Sequence, residues 1–388
     1  MNTPKLRFKE FNDEYKTYKF YDVAKLYRGS SPRPIVNFIT KSEDSVNWIK
    51  IGDVSPNETY INSTSEKITK EGAKKSRRVY KGEIILSNSM SFGRPYILNL
   101  DGCIHDGWFV VRDYEKLLNK KYLYHFMSSP LIQKQYKTLS AGGVVSNISS
   151  ELVYSVKLNI PSKEEQLKVA KFLSLLDKKI ELQTKKIEDL KLFKKGLHDK
   201  LFNDVSGNDY LLSDIAVFEN GKGHENIVDE NGKYILINSK FISTEGNVTK
   251  KCSEQLTPLF KNDITMVMSD LPNGKALAKC YYIDENNKYS LNQRICKIKV
   301  KDDSIVNSKY LFYLLNRNSY YLRFDDGVNQ TNLKKDDILS LNLVLPSIKD
   351  QERDSKTLTI IDNIIEKENN KLSKLNLLKK GLMQSMFV

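Results

Sequence analysis

Four stretches of this chain carry side chains suited to gripping a polyanion. In AKKSRRVY (Ala73–Tyr80), Lys74, Lys75, Arg77 and Arg78 put four cations within five residues, a density that fits contact with phosphate oxygens. VTKKCS (Val248–Ser253) is a thinner counterpart with Lys250 and Lys251. Two further stretches set amides and hydroxyls ahead of a glycine and a base: NSMSFGR (Asn88–Arg94), with Asn88, Ser89, Ser91 and Arg94, and SDLPNGK (Ser269–Lys275), with Asn273 and Lys275. Asn and Ser bond base edges or phosphates, and a terminal Arg or Lys bonds guanine or a phosphate oxygen. The glycine lets backbone approach closely. GGVVSNIS (Gly142–Ser149) and GVNQTNLK (Gly327–Lys334) each keep Gly and Asn five apart and add Asn147, Asn329 and Gln330. Solvated charges and ordinary β-turns explain the same residues, so both readings stay open here.

Chemistry that would make or break a covalent bond finds little support. The ten prolines include no Pro-Pro pair, so the Asp/Asn-Pro-Pro-aromatic motif for methylating an exocyclic amine is absent. GKGHEN (Gly221–Asn226) fits neither a P-loop nor a dinucleotide fingerprint, and PNGK (Pro272–Lys275) lacks the upstream glycine and the following Ser or Thr. The four histidines are scattered, and Cys103, Cys252, Cys280 and Cys296 form no CxxC pair. Even with His105 beside Cys103, the expectation is free buried thiols in a reducing compartment, with no structural metal.

The candidate residues must be positioned by elements that occur twice. LFKKGLHDKLF (Leu192–Phe202) returns as LLKKGLMQSMF (Leu377–Phe387), with Gly196 and Gly381 separated by 185 residues. At that offset Ile160–Phe202 aligns with Leu345–Phe387, matching Pro161 to Pro346, Gln166 to Gln351 and Asp177 to Asp362. Fixed self-similarity of this kind reports duplicated architecture. After each Pro-Ser the apolar spacing becomes heptad-like: Leu173, Leu176, Ile180, Ile187, Leu190 and Leu197 in one copy, Leu358, Ile361, Ile365, Leu372, Leu375 and Leu382 in the other. Polar residues interrupt both seams at matching positions, Gln183 over Glu368 and Lys194 over Lys379. Helices this long cannot bury their seams alone. The economical solution is that they pair antiparallel, as a coiled coil with a pseudo-two-fold axis.

Weaker repeats precede each helix: DVAKLYRG over DIAVFENG, VYKGEIILS over LFKNDITMVM, YLYHFM over YLFYLL. Short apolar, β-branched runs separated by Gly, Asn and Ser predict strands, with a helix near each Tyr-Leu-rich run. The fold class is therefore α+β: two similar domains of mixed β-sheet plus short helices at 1–160 and 204–345, and long helices at 161–203 and 346–388.

The formal charge is +14, and residues 1–200 hold 36 Lys and Arg against 23 acids, a net +13, while residues 201–388 hold 26 against 25. Such a surface favours nucleic acid or membrane partners. The charged opening MNTPKLRFKEFNDEYK is unlike a signal peptide and no apolar run is long enough to span a bilayer, so the expected location is cytoplasmic.

The Pro-Ser-x-x-Glu/Asp-Gln start of a long helix, its KKGL…F ending, the repetition of both, and the opening PKLRFKEFNDEY (Pro4–Tyr15) resemble the specificity subunit of type I restriction-modification systems. The resemblance implies two target-recognition domains, each reading one half of a bipartite site in double-stranded DNA, with the helices setting the unread gap. It implies no catalysis by this chain: S-adenosylmethionine would be used by two methyltransferase (modification) subunits, and ATP and Mg by restriction/translocase subunits. The short connection NDVSGNDY (Asn203–Tyr210) departs from the pattern, because the second domain has no copy of PKLRFKEF. A self-sufficient restriction or modification polypeptide, and a coiled-coil adaptor without a DNA role, are the alternatives.

Overall fold

The computed structural model describes residues 3–54, 58–89, 93–140, 148–203 and 205–388, with the backbone alone at 139 and 140. Tertiary contacts divide the chain into two units, Met1–Lys186 with Asn369–Val388, and Ile187–Glu368. The two long helices, Lys163–Asn203 and Ile348–Met386, each contribute to both units.

In the first unit, strands Lys25–Arg28, Trp108–Arg112, Ile84–Ser87, Pro95–Leu98 and Tyr60–Ile61 form one five-stranded sheet in that order. A second sheet runs Ile39–Thr40, Glu66–Ile68, Val46–Ile49, Gly102–Ile104, Arg77–Val79. Both are mixed, since Tyr60–Ile61 pairs parallel with Pro95–Leu98 and Gly102–Ile104 parallel with Val46–Ile49. In the second unit, Ala216–Asn220, Ile295–Val300, Ile264–Val267 and Cys280–Tyr282 form a four-stranded sheet, and Lys251–Cys252, Tyr234–Ile237 and Tyr289–Leu291 a three-stranded one. The Tyr-Leu runs are helical, at Lys120–Ser128 and Ser308–Leu315.

The repeats are structural equivalents. Lys16–Lys19 pairs antiparallel with Lys157–Ile160, and Asn208–Leu211 with Asn342–Leu345, in the same register. Gly29 and Gly221 each end the strand of the DVAKLYRG/DIAVFENG repeat, and a Cβ at either would lie 2.0 Å from a carbonyl oxygen, that of His105 or Asn292. No other residue fits that close backbone crossing.

The motif that starts each long helix is explained by what its residues bond. Ser162 caps the first helix by accepting from Glu165 N at 3.3 Å, and Ser347 accepts from Asp350 N at 3.3 Å. Gln166 is fully buried; its Oε1 accepts from Asn119 N at 2.8 Å while its Nε2 donates to Leu117 O and Pro161 O, both at 3.0 Å. Gln351 repeats the set with Asn307 N at 2.9 Å, Ile305 O at 3.0 Å and Pro346 O at 2.9 Å. Asn119 and Asn307 are the N-caps of the Tyr-Leu helices, so one glutamine per unit ties the long helix to the globular part.

Within each unit the helices run antiparallel. In the first, Arg7 bridges to Glu165 while Leu6 N donates to Ser385 O, and Asp177 lies 2.6 Å from Lys379. In the second, Lys194 lies 2.5 Å from Asp362, and His198 contacts Tyr313 O, whose hydroxyl bonds Thr359 and Asp362. Leu173, Leu176, Ile187, Leu358 and Ile361 are buried; Ile180, Leu190, Leu197, Ile365, Leu372, Leu375 and Leu382 are half-buried.

The opening segment packs on the first unit's helices. Arg7 holds Glu165 through two bonds of 2.9 and 2.8 Å, Tyr15 adds a third at 2.8 Å, and Phe8 meets Phe172 edge-on. Asp350, the counterpart of Glu165, bonds the local pair Ser347 and Arg353 instead. The second domain thus manages without a copy of PKLRFKEF by keeping its acidic residue at the surface.

All four cysteines are free and buried. Among the described residues no group of His, Cys, Asp or Glu could hold a metal ion, and no helix is long and apolar enough to cross a membrane.

Candidate nucleic-acid interface

In the first unit the described ends of two sequence-nominated loops meet at Asn88 and Ile148. The strand Ile84–Ser87 runs into Asn88, whose N–H donates to Gly107 O at 2.9 Å and whose carbonyl accepts from Ile148 N at 2.7 Å. Asn88 itself is buried, its amide donating to Asp106 O at 2.8 Å, so it holds the loop's foot. Ser89 is half-buried. Arg94 is half-buried with its guanidinium 5.9 Å from the Tyr96 ring centroid. Ser91 and Asn147 lie outside the described residues.

The basic cluster is exposed throughout. Lys74 and Lys75 end the helix Lys70–Lys74 and its cap, and Arg77 and Arg78 stand on the strand Arg77–Val79. Lys75 sits 4.8 Å over Phe38 and Arg77 5.6 Å over Tyr27, which orders these side chains without neutralising them.

A chain of bonds links this cluster to the loop pair: Arg77 Nε donates to Arg28 O at 3.2 Å, and Arg28 Nε to Asp106 O at 3.3 Å, the carbonyl that also receives Asn88. Arg28 is exposed and lines a cleft of about 390 Å³ with Leu26, Asn88, Phe109, Ile148 and Glu151. Sequence reasoning missed Arg28. The available signal was the period-two step from Leu26 to Arg28 on one strand face, directly before the obligatory Gly29.

The second unit repeats the geometry with other residues. Met268 stands where Asn88 does: its N–H donates to Arg294 O at 3.0 Å and its carbonyl accepts from Leu333 N at 2.8 Å. The SDLPNGK and GVNQTNLK loops meet through strands Ser269–Asp270 and Thr331–Asn332. Asn273 Nδ2 donates to Gly327 O at 3.1 Å, Gln330 Nε2 to Ser269 Oγ at 2.7 Å, and Asn329 Nδ2 to Asp326 Oδ2 at 2.9 Å. The same loop's N–H groups hold the Asp326 carboxyl down at about 2. Lys275 is exposed beside them, and Lys250 and Lys251 are exposed at the strand Lys251–Cys252.

The helices carry a second exposed feature. In the first unit Leu175, Leu182, Leu377 and Leu378 are exposed, and in the second Leu192, Phe193, Ile360 and Ile364. Gly196 and Gly381 lie one turn beyond Leu192 and Leu377, and a Cβ at either would meet nothing within 4 Å.

Known proteins share the repeat and the fold. The family described as type I restriction modification DNA specificity domain matches twice, at residues 12–192 and 208–377. The chain belongs to this specificity family. The MjaVIII specificity subunit of a type I restriction enzyme from Methanocaldococcus jannaschii is 24% identical over 291 residues, covering 67% of this chain and 68% of that one. The StySPI specificity subunit from Salmonella potsdam is 22% identical over 307 residues, covering 70% and 66%. Among solved structures, the S subunit of a type I restriction-modification system from M. genitalium superposes with a TM-score of 0.63 at 16% identity, covering 100% of this chain and 99% of that one. A chain from a structure of complex assembly and conformational transition in a type I R-M system gives 0.60 at 14% identity, covering 95% and 96%. Both halves of this specificity-family chain, including both long helices, share that fold.

Proposed function

We propose that this chain is the DNA-reading subunit of a type I restriction-modification complex, each unit reading one half of a bipartite target and the paired helices setting the gap. The observation that carries the reading is the double family match laid over two units that repeat the same strand-end geometry with different residues at its mouth. A duplicated scaffold with diverged loops is what two independent half-sites require. The first unit's exposed cations supply phosphate contacts, and the loops at Asn88 and Met268 supply base contacts.

Catalysis belongs to partners in this reading. The exposed apolar residues on the helices, grouped once in each unit, are docking positions for two methyltransferase subunits, and Gly196 and Gly381 leave room for a partner backbone to approach closely. Methylation would use S-adenosylmethionine on those methyltransferase subunits, and restriction would use ATP with Mg on separate restriction/translocase subunits.

The test is reconstitution. The purified chain alone, with duplex DNA and S-adenosylmethionine, should give no methylation, and addition of its cognate methyltransferase should give methylation confined to a split sequence. Methylation by the chain alone, or methylation whose positions do not change when this chain is exchanged for another specificity subunit, would refute the proposal.

A further inference from the structure

The second unit's loop pair engages three of its amide side chains within itself. Asn273, Asn329 and Gln330 each donate an amide hydrogen within the loops, to Gly327 O, Asp326 Oδ2 and Ser269 Oγ. Carboxylates lock the same segments: Asp270 accepts from the N–H groups of Leu271, Ala276 and Leu277 at 2.9, 2.6 and 3.0 Å, and Asp326 from Val328 and Asn329 at 2.9 and 2.8 Å. Asn273 Nδ2, two residues from Leu271, reaches Gly327 O, one residue from Val328.

Alongside these exposed amides, the hydrogen-bonded pair turns two apolar side chains outward. Leu271 is 70% exposed and Val328 76% exposed, at the tips of the two joined loops. Single exposed apolar residues are ordinary on protein surfaces. Two of them on adjoining tips, each tip fixed by its own aspartate and flanked by exposed Lys275, Lys334 and Lys335, form a built feature. The cations fit phosphates on either side of a groove. On the floor of the major groove the one apolar group is the C5-methyl of thymine.

We propose that Leu271 and Val328 read thymine methyl groups in one half-site of the target, in place of the amide-to-adenine readout that the Asn- and Gln-rich sequence of these loops invites. The inference rests on the reading of the second unit as a DNA-reading domain, and it adds the chemical group being recognised. Rigid loops suit such readout, because attraction to a methyl group is too weak to offset the cost of ordering a side chain on binding.

The experiment uses the complete methyltransferase complex containing this chain and a duplex bearing its mapped target. Each thymine is replaced in turn by deoxyuridine, which removes the methyl and leaves every hydrogen-bonding group. At least one replacement should weaken binding about fourfold, the transfer free energy of one methyl-sized group. With Leu271→Ser or with Val328→Ser, which leave no methyl group to meet the thymine methyl, the same replacement should cost nothing further. Both side chains are mostly exposed, so neither change should disturb folding, which circular dichroism and the melting temperature verify. A target lacking thymine, replacements that are all neutral to the unmodified complex, or a penalty that persists unchanged in both variants would overturn the inference alone. If scrambling either half-site leaves binding unchanged, the DNA-reading assignment fails, and this inference with it.

Discussion

Asp177 and Lys379 form an ion pair of 2.6 Å between the two long helices of the first unit, and their equivalents 185 positions away, Asp362 and Lys194, form one of 2.5 Å in the second. Each pair joins an early position of one helix to a late position of the other, so it specifies antiparallel register twice over. Both partners are part-buried, and between the limits known for exposed and buried pairs Lys379→Ala should cost about 1–3 kcal/mol. Exchanging the charges, Asp177→Lys with Lys379→Asp, should recover most of that loss in urea unfolding. A double variant no more stable than the worse single one would remove the pair from the register argument.

Gln166 and Gln351 anchor their units through three hydrogen bonds each. Replacing either with Ala leaves a buried N–H and two carbonyls unpaired, a loss of about 3 kcal/mol. Glu in place of Gln keeps the shape but loses the Nε2 donor, so it should not rescue. Calorimetry of the two variants separately would detect equal losses if the two anchors are equivalent.

Changing Lys74, Lys75, Arg77 and Arg78 together to Ala should weaken DNA binding by the assembled complex to a similar degree on every sequence. The salt slope should fall by roughly 0.9 for each phosphate that these cations neutralise. Titrations at four salt concentrations would give the slopes; a parallel line at lower affinity would mean that these cations do not touch phosphates.

Burial, with Lys379 and Lys121 nearby, pushes His125 down to about 3, and its Nδ1 lies 3.8 Å from Asp177 Oδ2. The folded value is below the ordinary value near 6.5, so the unfolded chain takes up the proton first. His125 therefore contributes no penalty above pH ~6.5 and an increasing one as pH falls towards ~3, at most about 1.4 kcal/mol per pH unit. His125→Gln should flatten the loss of stability between pH 7 and 5, read from urea midpoints. An unchanged pH slope would show that His125 is already accommodated when charged.

Gly196 has open space around it in the middle of a helix. Gly196→Ala should raise the stability of the isolated chain by about 1 kcal/mol, because alanine costs less backbone entropy there. The same change should weaken association with the methyltransferase partner, measured by sedimentation or titration calorimetry. Higher stability with undiminished association would show that no partner backbone comes close to this position.

The repeat, the heptad seam and the α+β character of both halves were legible in the sequence, because each depends on local spacing: 3.5-residue steps for helices that must pair, and short β-branched runs between turns for strands. The doubled Pro-Ser-x-x-Glu/Asp-Gln motif was legible as a marker, but its work was not. That Gln166 reaches Asn119, 47 positions earlier, and that Arg7 covers Glu165, are long-range pairings with no trace in spacing. The same holds at the candidate interface. Composition pointed to Lys74, Lys75, Arg77 and Arg78, since runs of cations are visible in a line. Only folding brought Arg28 into the cleft beside Asn88, engaged one amide hydrogen each of Asn273, Asn329 and Gln330 within the loops, and left Leu271 and Val328 outward. Periodicity fixes which face of an element is buried, whereas the direction of a loop side chain follows from hydrogen bonds closed across the tertiary structure.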